Sequence, residues 1–258
     1  MKTLLATCHT VVNSYTEIFN ARGHSYNEAT NFSPNARFIE RQLLIDRLCA
    51  NTNCVVLDAP AGGGYLADGI PLAKRMYCME PSYVFGKPLQ SSRHQLLNGS
   101  LERMPVKNNC VDRVGSLAGL HHLPSKQVFF DEAYRVLRSR GIIAVADVQL
   151  KTPSALFLNG AVNRLTETGH HGIFFEQNEM TRNLQAAGFS HCTEELLKCP
   201  WLFDKKEHMV TFCTLLFGLV NASPAAVLSE IENNLNVSTK DGKIQLDWSL
   251  VYAVGQKL

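Results

Sequence analysis

Short apolar runs alternate with helical stretches between residues 54 and 148, and this alternation constrains the fold more than any other feature of the chain. Buried parallel strands have continuous apolar sequences, and consecutive parallel strands need crossover connections that helices supply. The pattern predicts an α/β fold with a Rossmann-like, doubly wound sheet. Two later strands make it a mostly parallel, seven-stranded sheet with an antiparallel last strand. The expected strands are 54–57, 76–79, 94–98, 111–117, 142–148, 190–200 and 244–254.

Helical spacing of apolar residues places helices between and after these strands. In the first half we expect helices at 34–49 and 65–74, and a third that Ser125 caps and Gly141 ends. Beyond residue 150 we expect helices at 154–166 and 178–187. A helical pair at 205–236 has the pattern of an insertion, with an apolar stripe from Met209 to Val220 on its first helix. The second half therefore predicts a helical cap on the sheet.

Composition excludes several classes of function. The net charge is +2, and Lys and Arg are scattered without a run of five or six, so no nucleic-acid partner is expected. The eight cysteines form no C-x-x-C pair, which indicates reduced thiols in a cytoplasmic protein. The apolar start is too short for a signal peptide, and the longest later apolar stretch, 210–220, is about half of a membrane span. We expect a cytoplasmic protein without a membrane span.

Two acids and a glycine cluster carry the clearest chemical signal. Asp58-Ala59-Pro60-Ala61-Gly62-Gly63-Gly64 lies where the first strand turns, and glycines there let the backbone approach a nucleoside. Glu80 ends the second strand, 22 residues after Asp58, where a carboxylate accepts hydrogen bonds from both ribose hydroxyls. A carboxylate at Asp58 opposes a dinucleotide pyrophosphate but suits a cationic sulfonium. The glycine spacing also fails the G-x-G-x-x-G pattern, which disfavours an NAD-dependent oxidoreductase.

From about Arg37 to Asp147 the chain resembles the class I S-adenosylmethionine-dependent methyltransferases, in particular the group of ubiquinone/menaquinone-biosynthesis and malonyl-carrier-protein methyltransferases. The resemblance depends on several ordered motifs, which are Asp58 to Gly64, Glu80, Gly99 to Pro105, Val111 to Val114, Leu120 to Pro124, and Glu132 to Arg138 with Gly141. It implies S-adenosylmethionine as the cofactor and S-adenosylhomocysteine as the product. Two positions depart from the family, because Pro60 replaces the usual first glycine and Ser100 stands where Asp is common.

The resemblance also implies which residues contact the cofactor. Glu80 would bind the ribose hydroxyls, and Leu101 would offer its backbone amide to the adenine. An N-terminal arm of interleaved aromatic residues and arginines, with Tyr15, Phe19, Arg22 and Tyr26 among them, would either close over the site or pack on the sheet as an ordinary N-terminal helix. The expected cofactor-binding residues are Asp58, Ala59, Gly62, Gly64, Glu80, Pro81, Ser100, Leu101, Leu117, Tyr26 and Arg37.

Histidines are the candidate catalytic groups. His121 and His122 follow the fourth strand, where one could act as a general base, or could instead pack against the cofactor or cap the next helix. With Tyr15 they are the expected catalytic residues. The expected substrate contacts are Tyr15, His121, His170, His171 and Trp201. No four ligands occur at zinc-site spacing, so no metal is expected.

These observations predict one methyltransferase domain over residues 1–258. We expect a lid arm at 1–36, a cofactor-binding core at 37–150, a substrate cap with its insertion at 151–243 and a final strand at 244–258. The predicted reaction is methyl transfer to an O, N or C nucleophile of a small, partly hydrophobic metabolite in a biosynthetic pathway. A homodimer is left open. The alternatives are the NAD-dependent oxidoreductase and a non-catalytic partner protein that binds S-adenosylmethionine and docks through the 209–220 helix.

Overall fold

The ten strands form two sheets in a computed structural model, which describes residues 14–167, 169–170 and 172–258. The strands are β1 (Val55–Asp58), β2 (Arg75–Met79), β3 (Gln95–Leu97), β4 (Val111–Leu117), β5 (Leu137–Asp147), β6 (Ser190–Lys198), β7 (Trp201–Phe203), β8 (Val237–Lys240), β9 (Lys243–Leu246) and β10 (Ser249–Gln256). The main sheet has the order β3-β2-β1-β4-β5-β10-β6, and the second has the order β7-β9-β8.

The main sheet has the predicted topology. Strands β1 to β5 pair in parallel, and β10, the last strand, is antiparallel to both β5 and β6. The strand order reverses between β1 and β4, and open α/β sheets bind ligands at the carboxyl ends of the strands beside such a reversal. The Rossmann-like, seven-stranded prediction is therefore confirmed.

Helices cover both faces of the main sheet. They are α1 (Tyr15–Phe32), α2 (Phe38–Leu48), α3 (Gln127–Val136), α4 (Pro153–Phe157), α5 (Asn163–Leu165), α6 (Glu179–Ala186), α7 (Lys206–Phe217) and α8 (Pro224–Asn234). A π-helical turn, Leu158–Val162, joins α4 to α5. Ser14 and Glu17 form a capping box that starts α1. Within the described ranges, no helix combines the length and the apolar character needed to cross a membrane.

The first half of the chain departs from the predicted helices in two places. Only a 3₁₀ turn, Ala67–Gly69, forms where a helix at 65–74 was predicted, because Pro71 in a helix interior would lack an amide donor and clash with the preceding turn. Helix α3 begins at Gln127 without a side-chain cap, so Ser125 does not cap it. It ends at Val136, and Gly141 lies inside β5, where the register against β4 shifts.

The predicted final strand is divided between the two sheets. Strand β9 pairs with β7 and β8, and after Asp247 and Trp248 the chain continues as β10 in the main sheet. Alternation of apolar and polar residues defines a strand but not its partner, so the sequence could not show this break.

The predicted helical pair is confirmed as α7 and α8. The stripe residues Met209, Phe212 and Cys213 on α7 are buried, and Val220 at the end of the stripe is exposed and lies beyond the helix. A buried stripe cannot be a docking surface. The alternative of a non-catalytic partner protein therefore loses the surface on which it depended.

Candidate active site

Two buried carboxylates lie side by side at the carboxyl edge of the main sheet. Asp58 ends β1 and Glu80 follows β2 directly, and both side chains are almost fully buried. The Glu80 carboxylate accepts hydrogen bonds from the Gly62 amide at 2.7 Å, the Ser82 amide at 2.8 Å and the Tyr15 hydroxyl at 2.9 Å. Burial raises the pKa of Glu80 to about 7, although these three donors lower it.

The Asp58 carboxylate has fewer hydrogen-bond partners than the Glu80 carboxylate. Among the described residues its Oδ2 atom is buried without a hydrogen-bond partner. Burial and the neighbouring Glu80 carboxylate raise the pKa of Asp58 well above its usual range. A buried acceptor without a partner costs about 1–3 kcal/mol, which a cationic or hydrogen-bond-donating ligand would offset. The donor set therefore fits a ligand that carries an ammonium group and ribose hydroxyls.

The glycine turn beside these acids requires glycine at two positions. Gly62 and Gly64 have φ angles of +53° and +91°, which disfavour other residues. A Cβ atom at Gly62 would lie 2.6 Å from the Phe85 ring, and one at Gly64 would lie 2.5 Å from the Leu89 side chain. The backbone thus packs closely behind the carboxylates.

Helix α1 covers the carboxylates with aromatic side chains. Tyr15 packs on Phe19 with ring centroids 4.6 Å apart, and Phe19 stacks on Phe85 at 4.7 Å. Beneath them lies a cavity of about 50 Å³, the carboxylate cavity, lined by Tyr15, Phe19, Tyr26, Asp58, Gly62, Phe85 and Leu117 among others. This volume holds only one or two water molecules. A nucleoside would fit in this space only if α1 moved away from the carboxylates.

A second space lies on the other side of Tyr15. This loop cavity has a volume of about 290 Å³, and its lining includes Tyr15, Pro81, Ser100, Leu101 and His122. Tyr15 lines both cavities and separates them. The expected adenine contacts thus face the loop cavity, and the expected contacts of the methionyl part face the carboxylate cavity. The Ser100 hydroxyl binds the Glu102 carboxylate.

Three other expected cofactor residues have structural partners. The Arg37 guanidinium is bound to the Glu40 carboxylate and the Tyr26 hydroxyl, and Trp201 Nε1 donates to Glu40 at 2.8 Å. This buried network lies between the carboxylate cavity and the space beyond it. Ala59 donates its amide to the Gly115 carbonyl in the sheet, and its side chain is fully buried.

A third space, the histidine cavity, adjoins the carboxylate cavity across Phe19, Tyr26 and Arg37. It has a volume of about 50 Å³, and its aromatic walls are Phe19, Tyr26, Trp201, Phe217 and Trp248. One end carries His121, His122 and His170, and Arg22 faces it from α1. The structure thus brings together three of the expected substrate residues, namely His121, His170 and Trp201. His171 lies outside the described residues, and Tyr15 lies between the other two cavities.

Asp147 at the end of β5 holds the histidine pair in place. Its carboxylate accepts hydrogen bonds from the amides of Leu120 and His121 at 2.9 and 3.2 Å, and contacts His121 Nδ1 at 2.6 Å. Because Leu120–His122 is a 3₁₀ turn, the two adjacent histidine rings reach the same cavity. Burial and the neighbouring His121 and His170 lower the pKa of His122 well below its usual range.

Arg22 places a positive charge in this apolar surrounding. Its Nη2 donates to the Leu216 carbonyl at 3.1 Å, and its Nε is buried with no partner among the described residues. Burial lowers its pKa to about 10, so the guanidinium is still charged at neutral pH. A buried guanidinium with an unused donor suits an anionic ligand group.

The sequence analysis does not identify Asp147 or Trp248 as site residues, and it places Arg22 only in the N-terminal arm without a specific contact. Asp147 ends a predicted strand, and the carboxyl ends of parallel strands meet at one edge, so its approach to His121 could have been inferred. Tyr15, Arg22 and Tyr26 recur at helical spacing, which was the available signal that they share one face. Trp248 gave no such signal, since it follows the unforeseen break in the final strand.

Comparisons with known proteins agree with this geometry. Residues 57–145 match a protein family described as "Methyltransferase domain". No curated protein matches the chain by sequence. Among solved structures, an S-adenosylmethionine-dependent methyltransferase from Thermotoga maritima, described as a possible histamine N-methyltransferase, superimposes with a TM-score of 0.66 at 16% identity, over 95% of this chain and 100% of that chain.

Two further structures show how widely the fold is used. The [4+2]-cyclase SpnF matches with a TM-score of 0.64 at 14% identity, over 95% of this chain and 97% of its own. The geranyl diphosphate C-methyltransferase from Streptomyces coelicolor, solved with Mg²⁺ and S-adenosyl-L-homocysteine, matches with a TM-score of 0.56 at 13% identity, over 90% and 84% of the two chains. At these identities the likeness is one of fold.

The family match and the fold together indicate the class. Residues 57–145 are a methyltransferase domain, and the chain as a whole has the fold of the S-adenosylmethionine-dependent methyltransferases. This favours a methyltransferase with S-adenosylmethionine as its cofactor over the NAD-dependent oxidoreductase. The comparisons do not show that the chain belongs to the ubiquinone/menaquinone-biosynthesis group of these methyltransferases.

Proposed function

We propose that this methyltransferase acts on an O, N or C nucleophile of a small, largely apolar metabolite that carries an anionic group. One observation supports this acceptor above all, namely the buried Arg22 guanidinium with an unpaired Nε at the aromatic wall of the histidine cavity. Apolar walls favour a flat, hydrophobic body, and the guanidinium favours a carboxylate or phosphate on it. At about 50 Å³ the histidine cavity is too small for such a molecule while α1 is closed, so the proposal requires this cavity to widen when α1 moves. The acceptor's role in a biosynthetic pathway remains part of the proposal.

At the cofactor site, the chain's own residues would bind and orient S-adenosylmethionine. Asp58 would hold the methionyl ammonium, Glu80 the ribose hydroxyls, and the Leu101 amide the adenine, with Pro81 and Ser100 beside it. Leu117 and Gly62 line the carboxylate cavity between these contacts. S-adenosylmethionine supplies an electrophilic methyl group on a sulfonium.

Helix α1 is the proposed lid. Tyr15 separates the loop cavity from the carboxylate cavity, so its withdrawal would join them into one elongated space. Return of Tyr15 and Phe19 would exclude water from the reacting groups, and methyl transfer depends mainly on such orientation and desolvation. In this proposal Tyr15 is a hydrogen-bonding lid residue. Burial and Glu80 raise its pKa well above the usual value, so it stays protonated.

On the acceptor side, Arg22 would bind the anionic group and Trp201 would pack on the apolar body. His121, His122 and His170 form the end of the cavity at which the acceptor's reacting atom would lie. The Asp147 carboxylate fixes the orientation of the His121 ring.

A transfer assay with radiolabelled S-adenosylmethionine tests the proposal. The acceptors would be aromatic hydroxy- and aminocarboxylates, each paired with its uncharged methyl ester and with an amine of the same skeleton. We expect kcat/KM to be highest for the carboxylates, and to fall about 10- to 100-fold for the esters because one charge-assisted pair is lost. Preference for the amines, or equal use of acid and ester, would contradict the anionic acceptor.

A further inference from the structure

We propose that His121, His122 and His170 form a site for one divalent transition-metal ion at the end of the histidine cavity. Each residue offers one ring nitrogen, and the three nitrogens lie within 4.8 Å of one another. All three side chains are buried. The ring centroids are 4.1 to 5.7 Å apart, so the three rings form one compact cluster.

Supporting side chains orient these rings as they do in metal sites. Asp147 Oδ1 lies 2.6 Å from His121 Nδ1, and Asn159 Oδ1 lies 3.2 Å from His170 Nδ1. Ligating histidines commonly donate one ring N–H to a carboxylate or carbonyl oxygen and coordinate through the other nitrogen. The Asp147 carboxylate is itself held by backbone amides, and the His170 amide donates to Asn163 Oδ1 at 2.7 Å.

The donor set limits the metal. Three neutral imidazoles favour Zn²⁺, Fe²⁺, Co²⁺, Ni²⁺ or Cu²⁺ over Mg²⁺, which prefers oxygen ligands. Bond lengths of about 2.0–2.1 Å place tetrahedral ligand nitrogens about 3.4 Å apart, so the rings would close by up to about 1.4 Å on binding. Such a movement lies within the reach of side-chain rotation.

Three protein ligands leave a coordination position open, as in catalytic metal sites. Because the histidines line the same cavity as Arg22, that position would face the acceptor. Here the inference rests on the proposed function. A hydroxyl or amine bound to the ion loses its proton to solvent more readily. The new bond from that atom to the methyl carbon then forms as the carbon–sulfur bond breaks, which leaves the neutral thioether and releases one proton overall.

Cobalt titration of the full-length enzyme tests the site without any acceptor. The protein is stripped with a chelator, dialysed and titrated with Co²⁺, whose visible d–d absorption reports imidazole coordination. We expect saturation at one ion per chain. His122→Gln and His170→Gln should each remove this saturable binding, and Asp147→Asn should weaken it about 10- to 100-fold. His94→Gln is the matched control, because His94 is also buried and pairs with an aspartate, Asp68, but lies outside the cluster. It should bind Co²⁺ as the wild type does.

The outcomes separate the metal site from the acceptor proposal. Near-ultraviolet circular dichroism and titration with S-adenosylhomocysteine establish that each variant is folded, and if His122→Gln fails to fold, His170→Gln carries the test. Absence of saturable Co²⁺ binding in the wild type, or equal binding in both histidine variants, would overturn the site. Stoichiometric binding that depends on the histidines supports it even if no anionic acceptor is found.

Discussion

The carboxylate cavity and the histidine cavity adjoin each other beneath α1 but differ in their ionisable groups. Asp58 lines the first, beside Glu80, together with Arg37 and Arg41, whereas the described residues that line the second include no acid but carry Arg22, Arg37 and three histidines. Helix α1 contributes to both, because Tyr15 points towards Glu80 and Arg22, two turns later, points towards the histidines. In the proposed function, this difference would direct the cofactor to the carboxylate cavity and an anionic acceptor to the histidine cavity.

Each cavity also retains one unsatisfied polar atom. Among the described residues, Asp58 Oδ2 and Arg22 Nε are buried without hydrogen-bond partners. Each such atom costs about 1–3 kcal/mol in the ligand-free protein. Groups that ligands satisfy are expected to show this pattern, which the Ser116 and Thr166 hydroxyls share, whereas the Arg37–Glu40 pair between the cavities already has protein partners.

The largest expected effect comes from removing Glu80, the acid that lies beside the first cavity. Glu80→Ala should weaken binding of S-adenosylmethionine about 100- to 1000-fold, because two hydrogen bonds to a charged acceptor are lost, worth about 3–4 kcal/mol together. Isothermal titration calorimetry measures the change. Glu195→Ala, which removes an exposed glutamate on β6, serves as the control and should leave the affinity unaltered. Unchanged binding in Glu80→Ala would end the assignment of the ribose site.

The second-largest expected effect comes from removing the Arg22 charge in the histidine cavity. Arg22→Met keeps the apolar stem but removes the charge, and it should raise the KM of an anionic acceptor about 10- to 100-fold. The Kd for S-adenosylhomocysteine should stay within about twofold of wild type, since Arg22 does not line the carboxylate cavity. Steady-state kinetics and calorimetry check the two parts. If only the affinity for the cofactor fell, Arg22 would act at the carboxylate cavity and not at the histidine cavity.

The two cavities also differ in how far the sequence predicted them. The carboxylate cavity is formed by residues at the ends of strands. A buried parallel strand can be recognised from its local apolar sequence, and its carboxyl end has a known place in the sheet. Asp58 and Glu80 were therefore placed at one edge from sequence, and the structure brings them together there. The adjoining helix at 65–74 was wrong because Pro71 outweighed the apolar spacing.

The second cavity depends on long-range placement. His170 meets His121 through the path of the segment after α5, and Trp248 faces Trp201 because the last strand leaves one sheet for the other. The periodicity of the local sequence predicts neither of these long-range placements. The sequence therefore identified the histidines as candidates but could not show that three of them converge.

A smaller effect should follow pH, and it sharpens the comparison because Glu80, which lies beside the first cavity, has a pKa of about 7. Ionised Glu80 attracts a cation and accepts ribose hydrogen bonds, whereas protonated Glu80 offers neither advantage. With its pKa at about 7, roughly a tenth is ionised at pH 6 and nine-tenths at pH 8. The affinity for S-adenosylmethionine should thus rise about tenfold from pH 6 to pH 8. Calorimetry across this range measures it, and Glu80→Ala should lose the slope. A flat wild-type profile would contradict the role of Glu80.

The smallest effect tests the helix that separates the cavities. The Tyr15 hydroxyl donates to the Glu80 oxygen that also accepts the Gly62 amide, so it competes with a ribose for the same carboxylate. Tyr15→Phe removes this competitor and keeps the ring on Phe19, so S-adenosylmethionine should bind about fivefold more tightly, corresponding to about 1 kcal/mol. Stopped-flow fluorescence should show the gain in the association rate, because the lid opens more readily. Tyr77→Phe is the matched control, since its hydroxyl accepts a hydrogen bond from Arg75 and its side chain lines none of the three cavities. Weaker binding in Tyr15→Phe would mean that the hydroxyl belongs to the closed complex, and that α1 completes the first cavity instead of obstructing it.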